Sequence, residues 1–272
     1  MNYSVLMSVY FREQPEFLAA AVESMFCQTC PSNDIVLMCD GPLTDELDRC
    51  IDSLKEKYGD IMHVVRLPKN QGLGNALNEG MKLCKNDLIA RMDSDDIAYP
   101  DRCEKQLKIF SAHPETDICS GIVEEFSGIP ENVTVRRVPP ETNEEIHEFV
   151  KKRNPFNHPC VMYRKTAVET VGGYRDFYLL EDYYLWIRML MNGCKAYNIQ
   201  EPLLHMRAGS DMYKRRAGRK YAASQRALFR YMKDEKLIGF KGYACSCVIR
   251  TLSAMAPNYI REKLFRKFLR KV

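Results

Sequence analysis

The chain lacks the long apolar run, of roughly 20 residues, that a helix needs to span a bilayer. No leader is expected either: Met1-Asn2-Tyr3 runs straight into a strand-like stretch, with no basic start, apolar centre or small-residue cleavage site in view. Those two absences set the expectation of a cytoplasmic protein. Excess charge is missing as well. Lys and Arg number 40 against 36 Asp and Glu, a net +4, which gives no ground for nucleic acid as a partner. Internal repeats and low-complexity tracts are absent. Zinc chemistry has little to build on, because the 11 cysteines are odd in number and scattered. Cys27-Gln28-Thr29-Cys30 is the lone CxxC, with no second pair or nearby histidines to complete a tetrahedral site. It reads as a helix end, and the cysteines as free thiols of a reducing compartment.

What is present is an ordinary globular balance, 46% hydrophobic and 28% charged over 272 residues. That length suits one large α/β domain or two fused halves. Tyr3 to Val9, Asp34 to Cys39, His63 to Leu67 and Asp87 to Arg91 are short, apolar and β-rich. Helical spacing separates them: Glu13 to Gln28, Asp45 to Tyr58 and Leu73 to Cys84. The alternation predicts a mainly parallel sheet with right-handed crossovers. Such sheets bind ligands outside the carboxyl ends of their strands, where Tyr10, Asp40 and Asp93 fall. Further along, a helix is expected over Asp101 to Ala112, a strand over Ile118 to Phe126 and another at Val161 to Tyr163. Ser127 to Asn157 reads as a mobile loop with a short helix near Glu144 to Lys152, and Glu181 to Met191 as a helix. After His205 the pattern becomes helical and basic.

Met92-Asp93-Ser94-Asp95-Asp96 follows the apolar run Leu88-Ile89-Ala90. Three carboxylates within four residues repel one another unless a cation neutralises them. Mg²⁺ and Mn²⁺ prefer oxygen ligands and commonly bridge carboxylates to substrate phosphates. Taken alone, the cluster reads equally well as such a site or as a solvated acidic turn.

The ordered series Ser4-Val5-Leu6-Met7-Ser8-Val9-Tyr10, Asp40-Gly41, Asn70-Gln71-Gly72-Leu73-Gly74-Asn75 through Gly80, Asp93-Ser94-Asp95-Asp96, Asn157-His158-Pro159, Gly172-Gly173-Tyr174 and Glu181-Asp182 through Trp186 resembles the family 2 glycosyltransferases. The resemblance covers roughly residues 2 to 210 and is closest to the bacterial polysaccharide-assembly type. It implies an α/β GT-A fold: a mixed, mainly parallel central sheet flanked by helices, with a Rossmann-like nucleotide-binding half and a C-terminal helical extension. The implied division is 1–210 for the transferase domain (1–100 for the nucleotide sugar, 101–210 for the acceptor) and 211–272 for a basic helical extension.

The same resemblance implies an inverting transfer from a nucleotide-diphosphate sugar, most often a UDP-sugar, to a glycan or lipid-linked acceptor. Carried over residue by residue, Asp40 accepts a hydrogen bond from the base, or is a turn residue before Gly41. Tyr10 lies along the base or ribose, or is a rim tyrosine. Gly72, Asn75 and Ser94 belong to the nucleotide-sugar side, with Gly72, Gly74 and Gly80 read as close-approach and helix-packing positions. Asp95 binds Mn²⁺ or Mg²⁺, and Asp93 contacts the ribose or the metal. Arg91 either offsets the cluster's charge or is a structural partner of a carboxylate. His158 lines the donor pocket or is a hydrogen-bonded structural histidine. Asp182 is the catalytic base, because a sugar hydroxyl is a poor nucleophile until a positioned carboxylate removes its proton; Glu181 positions the acceptor. A helix N-terminus also favours acids at these two positions. Trp186 reads chiefly as core.

The chain departs from the pattern at Leu204-His205-Met206-Arg207-Ala208-Gly209. Many relatives carry Tyr-Arg-x-His here, and if Arg207 matches the arginine, Gly209 stands in the histidine's place. A third protein ligand to the metal is therefore not assigned. Arg207 and Lys214-Arg215-Arg216 either neutralise the diphosphate or form a solvated basic face. Beyond Pro257, the apolar residues Ile260, Leu264, Phe265, Phe268, Leu269 and Val272 share one helical face among six cations. Residues 257–272 thus suit the surface of an anionic membrane, peripheral on its inner face, or a helix packed on the domain. Two rival readings of the whole chain are a nucleotidyltransferase on a similar sheet and an inactive glycan- or membrane-binding module. The first would be expected to carry a Gly-rich basic loop after the first strand, and Phe11-Arg12-Glu13-Gln14-Pro15-Glu16 is not one.

Overall fold

The computed structural model describes residues 1–208 and 217–255. The expectations for Gly209, Lys214-Arg215-Arg216 and residues 257–272 lie outside the described residues.

β1 (Ser4–Val9), β2 (Ile35–Cys39), β3 (Met62–Arg66) and β4 (Leu88–Asp93) pair in parallel in the order β3-β2-β1-β4. Every residue of β2 is buried, and β1 is nearly so, because helices cover both faces. On one face α1 (Pro15–Phe26) and α2 (Asp45–Tyr58) set Leu18, Val22, Met25, Leu47 and Ile51 against Val5, Met7 and Val9. On the other, α3 (Leu73–Leu83) sets Ala76, Leu77 and Met81 against Leu6, Val36 and Met38. Gly80 is what lets α3 lie this close: a Cβ there would fall 2.4 Å from Leu6 Cδ1 and 2.8 Å from Met38 Cγ.

The second half adds β5 (Ile97–Ala98), β6 (Thr116–Phe126), β7 (Val133–Arg137), β8 (Met162–Arg164) and β9 (Lys195–Arg207). The sheet continues from β4 through β8, β6, β9 and β5, and β7 hangs on β6. β8 runs antiparallel to β4 and β6, whereas β9 runs parallel to β6. The helices here are α4 (Arg102–Ala112), α5 (Asn143–Phe149), α6 (Lys165–Thr170) and α7 (Glu181–Met191); α8 (Gly218–Asp234) and α9 (Phe240–Met255) follow the sheet. Among the described residues, no helix is long and apolar enough to cross a membrane.

Two segments differ from the sequence expectation. The stretch Ser127 to Asn157 holds β7 as well as α5, so much of it is regular rather than loop. The 13-residue β9 was not foreseen, and it carries the chain in extended form past His205 to Arg207. Pro202 and the charged Glu201 hide it in the sequence. The structure accommodates them at an irregularity, where the register between β6 and β9 shifts around Gly121 and Ile122.

Candidate active site

Parallel pairing aligns the carboxyl ends of β1, β2 and β4, with Ser8 level with Asp93 and Val9 level with Cys39. Tyr10, Asp40 and the acidic cluster therefore share one edge of the sheet. Asp40 is 4% exposed. Its Oδ1 accepts from the Gln71 N–H at 2.7 Å and its Oδ2 from the Gly72 N–H at 3.0 Å. Asn70 Nδ2 donates to the Asp40 carbonyl at 3.1 Å. Asp40 thus pins the start of α3 under the edge. Gly72, with φ of 85°, has open space where a Cβ would stand. Its backbone angle, rather than a close approach, is what calls for glycine there. Asn75 is exposed and donates to the Gln71 carbonyl at 2.9 Å. Tyr10 stands 38% exposed, edge-on to Phe11.

Asp93, Asp95 and Asp96 bring carboxylate oxygens within 4.8 Å of one another. Asp96 is buried: Oδ1 accepts from the Arg207 N–H at 2.8 Å, and Oδ2 has no partner. Burial, then the charges of Asp95 and Asp93, push the Asp96 carboxyl well above the usual carboxylate range. Burial, Asp93 and Glu13 push Asp95 up to about 7. Three carboxylates raised or crowded in this way, one with an orphaned oxygen, are a donor set that fits a hard divalent cation.

Glu13 is a neighbour that the sequence reading did not assign. Its Oε2 accepts from Ser94 Oγ at 2.5 Å, and Oε1 from the Gln14 N–H at 2.9 Å. Its place just past the end of β1 was the available signal. Ser94, 6% exposed, is therefore tied to Glu13 and points its hydroxyl away from a free role.

Arg91 is 1% exposed and forms an ion pair with Asp93 Oδ1 through Nη2, while its Nε and Nη1 have no partner. The charge of Arg91 acts on Asp95, Asp96, Glu181 and His158 alike, so this one guanidinium borders both acidic groups. Arg207 is stacked between rings, 3.7 Å from the Phe17 centroid and 4.7 Å from that of Phe126. Its Nε donates to the Asp95 carbonyl at 3.1 Å. His205 turns elsewhere: its ring stacks on Tyr99 at 4.3 Å, and Nδ1 lies 3.8 Å from Glu124.

The second acidic group opens α7. Leu179, at φ of 58°, holds a left-handed turn that costs about 1 kcal/mol for a residue with a Cβ. The turn delivers Glu181 and Asp182 into the helix's first turn, where the macrodipole favours carboxylates. Asp182 Oδ1 accepts from the Tyr183 N–H at 2.6 Å and Oδ2 from Asn154 Nδ2 at 2.7 Å. Burial and then Asp182 push Glu181 up to about 7. Asn154 is a second residue the sequence did not single out.

Between the two groups lies an aromatic wall. His158 Nε2 and the Tyr174 hydroxyl are 2.9 Å apart. Loss of water around the ring, then the charge of Arg91, drives the His158 pKa well down, so the imidazole is neutral near pH 7. Trp186 is fully buried against Phe156, His158, Tyr163 and Tyr174. It is a core residue and has no face open to a sugar ring. The Gly172-Gly173 turn leads into Tyr174, with Asn78 against Gly173 and closing on Tyr174 through a pair of 2.8 Å hydrogen bonds.

Residues 4–172 match the sequence profile described as glycosyl transferase family 2. The amylovoran biosynthesis glycosyltransferase AmsE of Erwinia amylovora is 37% identical over 97% of this chain and 98% of its own length. The UDP-Gal:alpha-D-GlcNAc-diphosphoundecaprenol beta-1,3-galactosyltransferase of Escherichia coli is 36% identical over 99% of this chain and 97% of its own. Among solved structures, S. aureus TarS 1-349 in complex with UDP-GlcNAc superimposes with a TM-score of 0.67 at 15% identity, covering 97% of this chain and 75% of that one. The Pyrobaculum calidifontis mannosyltransferase PcManGT, in complex with GDP-Man and Mn²⁺, gives a TM-score of 0.64 at 13% identity, over 96% and 78% of the two chains.

Proposed function

The chain belongs to glycosyl transferase family 2 and is a glycosyltransferase, and from that premise we propose that it moves a sugar from a UDP-sugar to a hydroxyl of a lipid-linked saccharide, with inversion at the anomeric carbon. One observation carries the reading. The crowded carboxylates of Asp93, Asp95 and Asp96 stand at the end of the nucleotide-type half-sheet, and a separate pair, Glu181 and Asp182, opens α7 with Arg91 bordering both. Two acidic groups with distinct surroundings suit two distinct tasks.

On the donor side, Asp95 with Asp93 would hold Mn²⁺ or Mg²⁺. When bound, that cation supplies the positive charge that neutralises the leaving diphosphate. Asp40 uses two lone pairs on the 71–72 backbone and retains others for an N–H of the base. Tyr10, Gly72 and Asn75 flank that position. Arg91 presents two unpartnered N–H groups beneath the cluster, and these suit oxygens of the donor. His158, held neutral and bound to Tyr174, shapes the wall on which the donor sugar rests. Arg207 fixes the Asp95 backbone and adds its charge to the diphosphate side.

On the acceptor side, Asp182 takes the proton of the attacking hydroxyl as the new bond forms, a step worth typically 10²–10⁴-fold in rate. Asn154 holds the carboxylate in place. Glu181, pushed up to about 7, keeps a proton for much of the time at neutral pH and with it donates a hydrogen bond that positions an acceptor oxygen. In-line displacement requires Asp182 opposite the departing nucleotide, which matches the separate origins of the two groups.

The relatives support the acceptor class: one is named for amylovoran biosynthesis and another for a diphosphoundecaprenol-linked acceptor. We assign this chain to cell-surface polysaccharide assembly at the inner face of the cell membrane, with residues 257–272 as a peripheral contact. Residues 1–210 then form the transferase domain, 1–100 serving the donor and 101–210 the acceptor, with 211–272 as an extension. The test is release of nucleoside diphosphate from a panel of nucleotide sugars, with Mn²⁺ or Mg²⁺ and with chelator. Cation-dependent release from a UDP-sugar is expected. No release from any donor would remove the mechanism.

A further inference from the structure

α9 is built in reverse for a helix that only completes a domain. Its inward side is mixed: Tyr243 and Cys247 meet the core, Arg250 lies over Phe229, and Thr251 accepts from Arg226. Its outward side is apolar. Val248 is 59% exposed, Ile249 60%, Leu252 67% and Met255 54%, and Cys245 is exposed with them. These five positions recur at helical spacing and form one stripe. A soluble helix shows the opposite arrangement, and a contiguous exposed apolar stripe marks a surface that meets something.

Charge says what it meets. Residues 217–272 carry 14 Lys and Arg against three acids, whereas the whole chain is only +4. The remainder of the chain is therefore acidic on balance, and α9 itself carries Lys241 and Arg250 and no acid. Two copies of such a face would oppose like charges. An anionic lipid surface satisfies both the apolar stripe and the net positive charge of this part of the sequence.

The placement has a consequence for the active site. Arg250 donates to the backbone carbonyl of Lys152. Two residues on, Asn154 holds Asp182. α9 is thus fastened to the segment that supports the acceptor-side carboxylate. We infer that the outward stripe of α9, centred on Val248, Ile249 and Leu252, docks into the interface of an anionic membrane and brings the acceptor side of the site to the lipid surface. The inference deepens the reading of a lipid-linked acceptor. Its test uses vesicles without acceptor, so that its failure leaves the transferase reading standing.

The full chain is floated with phosphatidylglycerol-containing vesicles and with phosphatidylcholine alone. Binding to the anionic vesicles is expected, and the triple variant Val248→Ser, Ile249→Ser, Leu252→Ser, with residues 257–272 intact, should weaken it by at least about tenfold. In the wild-type chain, a water-soluble maleimide should label Cys245 several-fold more slowly once anionic vesicles are added. Cys27, exposed at the end of α1, should react at an unchanged rate. Equal binding by the triple variant, or a Cys245 rate indifferent to vesicles, overturns the inference. So does slow labelling of Cys245 without vesicles: if it depends on protein concentration, a second copy covers the stripe, and if not, the chain's own residues do.

Discussion

The Asn154 side-chain amide donates a 2.7 Å hydrogen bond to Oδ2 of Asp182, while the backbone N–H of Tyr183 occupies Oδ1. The carboxylate is therefore fixed from two sides before any acceptor arrives. Asn154→Ala removes one of these restraints and leaves the base chemistry intact. It should lower kcat by about tenfold or more, in line with the sensitivity of rate to sub-ångström placement, with little change in donor KM. Steady-state kinetics at saturating donor measure this. An unchanged kcat would show that Asn154 does not position the base.

Arg91 makes a different prediction. It is fully buried, paired to Asp93, and has two unpartnered N–H groups. Arg91→Met should destabilise the fold by about 2 kcal/mol, discounted because Asp93 remains partly hydrated. It should also raise donor KM well beyond what the stability loss explains. Arg91→Lys retains charge but loses the planar fork, so it should recover stability more than it recovers donor KM.

The two carboxyls at about 7 give a pH signature. Asp95 and Glu181 have folded pKa values raised above the unfolded values of about 4. Between those limits the folded chain binds more protons than the unfolded one, so stability falls as pH rises. In chelator, the unfolding free energy should decline from about pH 5 to pH 7.5 by on the order of 2 kcal/mol after solvent screening, and the melting temperature should fall with it. Asp95→Asn and Glu181→Gln should each flatten the decline. Mn²⁺, which needs ionised Asp95, should reverse it, and the stabilisation should grow with pH. A melting temperature insensitive to Mn²⁺ at pH 7.5 contradicts the donor-side assignment.

Gly80 tests the packing of the donor half. A methyl there meets Leu6 and Met38 at 2.4 and 2.8 Å. Gly80→Ala should cost about 1–3 kcal/mol through overpacking, despite alanine's better helix propensity. Chemical denaturation measures the loss.

The donor half was legible because its physics is local. β1 and β2 are short apolar runs buried on both faces, and α2 and α7 begin and end where helical spacing puts them. The edge that gathers Tyr10, Asp40 and Asp93 followed from parallel topology alone. β9 was not legible, because its pairing to β6 spans a long sequence separation and tolerates Pro202 at an irregularity. Glu13 and Asn154 were missed for a related reason: each reaches its partner only through the tertiary fold, over 81 and 28 residues. Gly72 was expected to be a close-approach or helix-packing position, but nothing lies within 4 Å of a Cβ there, and its positive φ is what calls for glycine.

The division of labour between the two acidic groups is tested most directly by Asp182→Asn, with UDP affinity in Mn²⁺ and turnover measured on the same preparation. The account predicts UDP binding within about twofold of wild type and a loss of turnover of about 10²–10⁴-fold. Retained turnover, or UDP binding lost together with it, would contradict the assignment of Asp182 to the acceptor.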